Sequence, residues 1–275
     1  MDKRKIVQIL SVFFTNGYIK GFLKGKIYTG NLKKICIPGL NCYSCPGALG
    51  SCPIGSLQAV IGSMMHKFSF YVIGLITGIG VLFGRLGCGW ICPFGLIQEL
   101  FNKIPSPKIR IVKGDKFLKY FKYIILIMFV ILLPMVLADE LGMSDPYFCK
   151  YICPAGTLEG GVPLVLMNEP LKSTIGFLYT WKITLLVITI ILSIIIYRPF
   201  CRYICPLGAI YSIFNPISFY KFEIDKDKCT ECGLCTKKCK INIEVYKNPN
   251  SPECIRCGEC KKACPQNAIK SGIMK

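Results

Sequence analysis

The sequence predicts a mainly α-helical membrane domain over residues 1–213, with about four spans in two parallel half-repeats, followed by a small α+β domain over residues 214–275. Three features carry that prediction: an apolar, charge-poor composition, a cysteine motif that recurs along the first part, and a dense, evenly spaced set of cysteines at the end. Hydrophobic residues make up 52% of the 275 and charged residues only 18%, a membrane-protein balance rather than a disordered or fibrous one. Cysteine occurs 18 times and histidine once. With no Cys-x-x-Cys-His and only His66 able to ligate through imidazole, the sequence argues against c-type or bis-His haem and excludes a catalytic zinc with two or three His, so no haem is expected. Lys+Arg outnumber Asp+Glu by 34 to 15. That excess invites a nucleic-acid reading, but 22 of the basic residues lie in 1–213 against 8 acidic ones. There they flank apolar runs and suit an anionic lipid surface, so the expected partner is membrane lipid and no nucleic acid.

The spans are expected at residues 6–19, 68–84, 123–138 and 175–197. The first is short enough to be re-entrant or interfacial, since a span needs about 20 apolar residues. The second carries Gly74, Gly78, Gly80 and Gly84, spaced for close helix approach. Lys/Arg in short loops sets the orientation. The loop from Arg85 to Lys119 has seven; the loop from Asp139 to Ser173 has Lys150 and Lys172 beside five acids. The first loop therefore reads as cytoplasmic and the second as outside, giving a multi-pass protein of the cytoplasmic (inner) membrane with both termini and the C-terminal domain in the cytoplasm.

Cys88-Gly-Trp-Ile-Cys92-Pro-Phe-Gly recurs as Cys149-Lys-Tyr-Ile-Cys153-Pro-Ala-Gly and Cys201-Arg-Tyr-Ile-Cys205-Pro-Leu-Gly. A half-copy, Cys52-Pro-Ile-Gly, has Ala48 where the first cysteine would stand, with Cys42 and Cys45 just upstream. Proline after the second cysteine suits the first helical position, so each thiol starts a helix whose dipole favours thiolate. The motifs alternate by side, and pairing the half-repeats gives two four-thiol sites. The inner site takes Cys88, Cys92, Cys201 and Cys205. The outer site takes Cys45, Cys52, Cys149 and Cys153, with Cys42 as the alternative to Cys45. Iron through these cysteines would make one or two further Fe–S clusters in the membrane domain; dithiol redox chemistry is the competing use of the same residues.

The C-terminal run reads Cys229-x-x-Cys232-x-x-Cys235-x-x-x-Cys239, then Cys254-x-x-Cys257-x-x-Cys260-x-x-x-Cys264-Pro265. This is the bacterial two-[4Fe–4S] ferredoxin-like spacing, in which the fourth cysteine of each run serves the other cluster. One cluster takes Cys229, Cys232, Cys235 and Cys264, the other Cys254, Cys257, Cys260 and Cys239. Lys240 replaces the proline usual after the first run.

From Gly84-Arg85-Leu86-Gly87-Cys88 to the tail, the chain resembles the polytopic membrane ferredoxins of the NapH/NosR/FixG type. The residues carrying the likeness are Cys88/Cys92 and Cys201/Cys205 with their Pro and Gly, and the two-cluster tail. The resemblance implies a membrane iron–sulfur electron-transfer protein with these motifs facing the cytoplasm, working between the quinol pool and respiratory reductases. Cys149/Cys153 and the Cys42–Cys45 segment go beyond the NapH pattern, and the extracytoplasmic flavin domain of NosR-like proteins is absent from this sequence. The expected function is electron movement between a cytoplasmic redox protein or reductase and a membrane or extracytoplasmic partner, with quinol as a candidate. No nucleotide loop or nucleophile–base pair is present, which leaves a quinol dehydrogenase component as the one enzymatic role open, and His66 as its only imidazole proton acceptor. Two alternatives stand beside it: a transmembrane dithiol/disulfide relay fed by the tail, and a redox-sensing regulatory membrane protein.

Overall fold

The computed structural model describes residues 3–63, 69–110, 114–139, 144–173 and 175–273; His66 lies outside them. Among the described residues, two helices are long and apolar enough to cross a membrane, Asp115–Val136 with 22 residues and Phe177–Ile195 with 19. Both turn large apolar side chains outward. Phe177–Ile195 buries Leu186, Thr189 and Ser193 while Val187, Ile188, Ile191 and Leu192 face outward. Asp115–Val136 likewise exposes Ile124, Ile127, Met128 and Ile131. Contiguous apolar faces of this size are not left to water in a soluble monomer.

The other two expected spans differ. Phe70–Phe83 is a helix of 14 residues. Over 6–19 the helix Lys3–Thr15 stops, and the chain restarts as Ile19–Lys24. Leu49 N–H donates to the Thr15 carbonyl and Tyr18 N–H to that of Gly47, so the 45–50 turn takes over the backbone groups that a continuous helix would have used. This first helix also buries polar groups, Arg4 and Gln8, while Phe13 and Phe14 are exposed.

Each cysteine motif folds in one way. A short helix (Leu86–Trp90, Tyr147–Tyr151, Pro199–Tyr203) ends near the first cysteine, and a second begins at the proline after the next. Cys52, Cys92, Cys153 and Cys205 are all extended N-caps, with ψ between 106° and 126°. Proline disfavours the helical region for the residue before it, so the sequence itself turns each of these thiols to the start of a helix. The Cys153 and Cys205 sulfurs accept from Gly156 N–H at 3.3 Å and Gly208 N–H at 3.4 Å.

The C-terminal unit is a two-stranded antiparallel sheet, Tyr220–Ile224 against Ile269–Ile273 with Tyr220 opposite Ile273, plus the helices Leu234–Lys238 and Glu259–Ala263. Its core of Phe222, Ile241, Ile243, Val245, Ile255 and Ile269 includes Tyr197 from the helical part. The two parts are locked by charge and by close backbone contact. Arg85 donates to Glu253 at 2.9 Å and to the Pro252 carbonyl at 3.1 Å, and Lys122 donates to Glu253 at 2.6 Å. A Cβ on Gly89 would lie 2.2 Å from the Ile255 carbonyl oxygen, so only glycine permits that approach.

Burial raises the Glu253 carboxyl, but Arg85 and Lys122 outweigh it and hold it below the usual carboxylate range. Its stabilisation is therefore present above the ordinary glutamate value and is lost as pH falls through the lowered native one. Glu253→Gln leaves Arg85 and Lys122 without a buried counter-charge and should cost about 3 kcal/mol, read as a clear fall in melting temperature. An unchanged melting temperature would contradict the lock.

Candidate iron–sulfur sites

The thiols of the helical part gather into two sets. The proximal set, Cys88, Cys92, Cys201 and Cys205, is buried, with each residue no more than 6% exposed, and its members act electrostatically on one another. The distal set lines a cavity of about 550 Å³ together with Asn41, Gly55, Gly156, Gly160, Ser144 and Lys182. Its thiols are Cys42, Cys52, Cys149 and Cys153. Cys45, expected there from sequence, instead turns its sulfur toward Asn16 Oδ1 at 3.7 Å. The backbone turn closed by Cys45 N–H on the Cys42 carbonyl sends the two thiols to different places. Cys36 packs against Ser51 Oγ at 3.3 Å.

One glutamine braces each set, and the sequence reading did not find either. Gln98 Nε2 donates to Cys201 Sγ at 3.1 Å and its Oε1 accepts from Phe200 N–H at 3.2 Å. Gln58 does the same one level away, to Cys149 Sγ at 3.4 Å and from Phe148 N–H at 2.9 Å. Both stand six residues after a Cys-Pro cysteine, so Cys-Pro-x-Gly-x-x-Gln was the signal to be read. The same position in the later copies holds Glu159 and Tyr211. Glu159 Oε2 accepts from Cys42 N–H at 2.7 Å and its other oxygen is buried without a partner among the described residues; burial lifts its carboxyl to about 8. Tyr211 is fully buried, within electrostatic reach of Cys88, Cys52 and Cys92.

The proximal set has a second brace, and it is reciprocal. Arg85 donates to the Cys201 carbonyl at 3.0 Å, and Arg198 donates to the Cys88 carbonyl at 2.5 Å. The glycine of each Cys-Pro-x-Gly makes room for the opposite arginine: a Cβ on Gly95 would meet Arg198 at 3.0 Å, and one on Gly208 would meet Arg85 at 3.3 Å.

In the C-terminal unit the cysteines line two hollows. Cys229, Cys232, Cys235 and Cys264 surround one hollow; Cys239, Cys254, Cys257 and Cys260 surround another. Gly233 and Gly258 sit at φ +71° and +79°, the left-handed region that favours glycine. The second hollow lies against the proximal set. Trp90, between Cys88 and Cys92, donates from Nε1 to the Arg256 carbonyl at 3.0 Å. Tyr197 and Ile255 border both that hollow and the cleft beside Cys201.

The donor sets fit iron–sulfur clusters better than single ions. Among the described residues no three His, Cys, Asp or Glu side chains converge as one metal ion requires, whereas four thiols around a hollow suit a larger polynuclear group. Burial pushes Cys42, Cys52, Cys254 and Cys260 up to about 12 and also raises Cys88, Cys92, Cys149 and Cys153. Buried neutral thiols are poor nucleophiles, and iron would supply the positive charge that makes thiolate affordable there. Arg85 Nε and Arg198 Nε are buried donors without a partner among the described residues, beside the proximal thiols, where an anionic group would accept from them.

Two families, each described as a 4Fe-4S binding domain, match the chain. One matches at 66–111, 122–162 and 178–222, segments that hold Cys88/Cys92, Cys149/Cys153 and Cys201/Cys205 in turn; the other matches at 250–270. Two uncharacterized proteins of Methanocaldococcus jannaschii are 30% identical to it. One aligns over 204 residues, 70% of this chain and 64% of the relative; the other over 207 residues, 72% and 74%. YccM of Escherichia coli, named for electron transport, is 26% identical over 217 residues, 74% of this chain and 56% of YccM. The chain thus spans less than two thirds of the first relative and of YccM. No solved structure matches it.

Replacing Gln98 by leucine leaves Phe200 N–H buried and unpaired and frees the Cys201 sulfur, at a cost of about 1–3 kcal/mol. In iron-free protein, alkylation of Cys201 should speed up relative to Cys149; equal protection of both would refute the brace.

Proposed function

This chain belongs to the family of 4Fe-4S ferredoxin-type electron-transport proteins in which NapH and NosR are found, and from that premise we propose that sixteen of its eighteen cysteines form four cluster sites in series that carry electrons through a membrane. The observation that carries this reading is the junction at Gly89 and Trp90, where the Cys254–Cys260 loop lies directly on the proximal motif. Such clusters, when bound, take up and release single electrons at potentials that the surrounding protein sets.

The chain's own residues supply the rest. Cys229, Cys232, Cys235 and Cys264 form the terminal set, and exposed Cys232 and Leu234 make it the contact point for a soluble redox partner. Tyr197 and Ile255 fill the space between the next set and the proximal one, keeping water out. Tyr211 does so between the proximal set and the distal one. Cys42 rather than Cys45 completes the distal set, whose open cavity, bordered by Lys182, faces a small reductant such as quinol or a partner on the far side. The outward apolar faces of Asp115–Val136 and Phe177–Ile195 support the membrane setting. Four spans and a cytoplasmic C-terminal unit follow from the Lys/Arg asymmetry of the loops, and the reciprocal arginines and paired glutamines favour two parallel half-repeats. The dithiol relay is disfavoured because burial raises the Cys42, Cys52, Cys88, Cys92, Cys149 and Cys153 thiols, which makes them poorer nucleophiles.

Anaerobically purified protein should hold roughly 16 iron atoms per chain, four for each [4Fe–4S] site. Cys42→Ala should lower that to roughly 12, and Cys45→Ala should not change it. A wild-type content near 8, the value for the C-terminal pair alone, would remove both membrane sites.

A further inference from the structure

The two four-thiol sets of the helical part share a plan but not a charge environment. Both motifs of the proximal set begin with arginine three residues before the first cysteine, Arg85-Leu-Gly-Cys88 and Arg198-Pro-Phe-Cys201. The corresponding position before Cys149 is Pro146. Both arginines are 1% exposed, and guanidinium stays charged whatever its surroundings.

Their counter-ions do not cancel them. Arg198 meets Glu99 at 2.7 Å, but that carboxylate is also paired with Arg4 at 2.8 Å and with Lys5. Arg85 shares Glu253 with Lys122. Two carboxylates therefore answer five cations, all of them next to the proximal thiols or one contact away. Among the described residues the distal cavity is lined by one cation, half-buried Lys182; buried Lys33 is within electrostatic reach of Cys42, and the Glu159 carboxyl lies close by on Cys42.

Arg198 is also held at φ +51° and ψ +55°. A non-glycine residue is strained in that region, and the surrounding contacts sustain the strain. The strained backbone directs the guanidinium across to the Cys88 carbonyl.

Resting on the reading that both sets hold clusters, we infer that Arg85 and Arg198 make the proximal set the higher-potential member of the pair, so that an electron shared between the two sets resides on the side of the C-terminal unit. Reduction adds one negative charge to a site, and fixed positive charge in a low-dielectric surrounding favours that state. The two arginines act as positioning and tuning residues, through charge and through their unpaired Nε–H groups. They are not ligands.

The test is an EPR-monitored redox titration of the full chain, purified anaerobically, with iron and sulfide measured on each sample. A Cys88→Ala, Cys205→Ala variant identifies the proximal signal by its loss. The proximal midpoint should lie above the distal one by at least a tenfold bias, 59 mV for a one-electron couple. Arg198→Gln should lower the proximal midpoint and leave the distal and C-terminal signals in place, which also reports that the protein has folded. Arg198→Lys, which keeps the charge, should restore most of the difference. Full iron content with an unmoved proximal midpoint in Arg198→Gln, or with equal midpoints in the wild type, overturns the inference. A wild-type iron content near 8 overturns the cluster reading beneath it, and the two failures are distinguished by the iron count.

Discussion

Arg85 is the residue on which the remainder of the structure depends. From one buried guanidinium it reaches the Cys201 carbonyl in the other half of the helical part, the Pro252 carbonyl in the C-terminal unit and the Glu253 carboxylate. Each contact is made without water, where an unmet charge would cost several kcal/mol. The constraint is therefore stringent: the halves, the docked unit and the proximal thiols must all be in register, or a cation is stranded. Glu253 then gathers Lys122, and Lys122 fixes the long apolar helix to the same point.

What was legible in the sequence is what short-range chemistry dictates. Proline after cysteine forces the extended N-cap, and all four Cys-Pro sites take it. The three-plus-one cysteine spacing at the end predicted a crossed pairing, and the two hollows are lined accordingly. Apolar length gave Phe177–Ile195 closely.

What was not legible depends on partners far away in the chain. The helix expected at 123–138 begins at Asp115, because Lys119 and Lys122, polar residues that spoil an apolar run, find Asp115 and Glu253. That Cys42 rather than Cys45 lines the distal cavity goes with Glu159 accepting from Cys42 N–H, a contact across 117 residues. The break after Thr15 depends on the 45–50 turn. Gln58 and Gln98 were legible in principle, since the six-residue spacing from Cys-Pro repeats. They passed as ordinary helix residues because a glutamine reveals its purpose only once its sulfur acceptor is located.

The interleaving of cysteines between distant segments also sets a schedule. Neither half of the helical part contains a finished set of thiols. During synthesis the distal four are complete only when Cys153 has been made, the proximal four at Cys205, the set with Cys239 at Cys260, and the set with Cys229 at Cys264. A ribosome stalled between Cys205 and Cys264 would leave a chain whose helical part has all its thiols but whose C-terminal unit still lacks at least one. A chain cut between Cys260 and Cys264 would lack one thiol of the set that Cys229, Cys232 and Cys235 begin, while the other three sets would keep all of theirs.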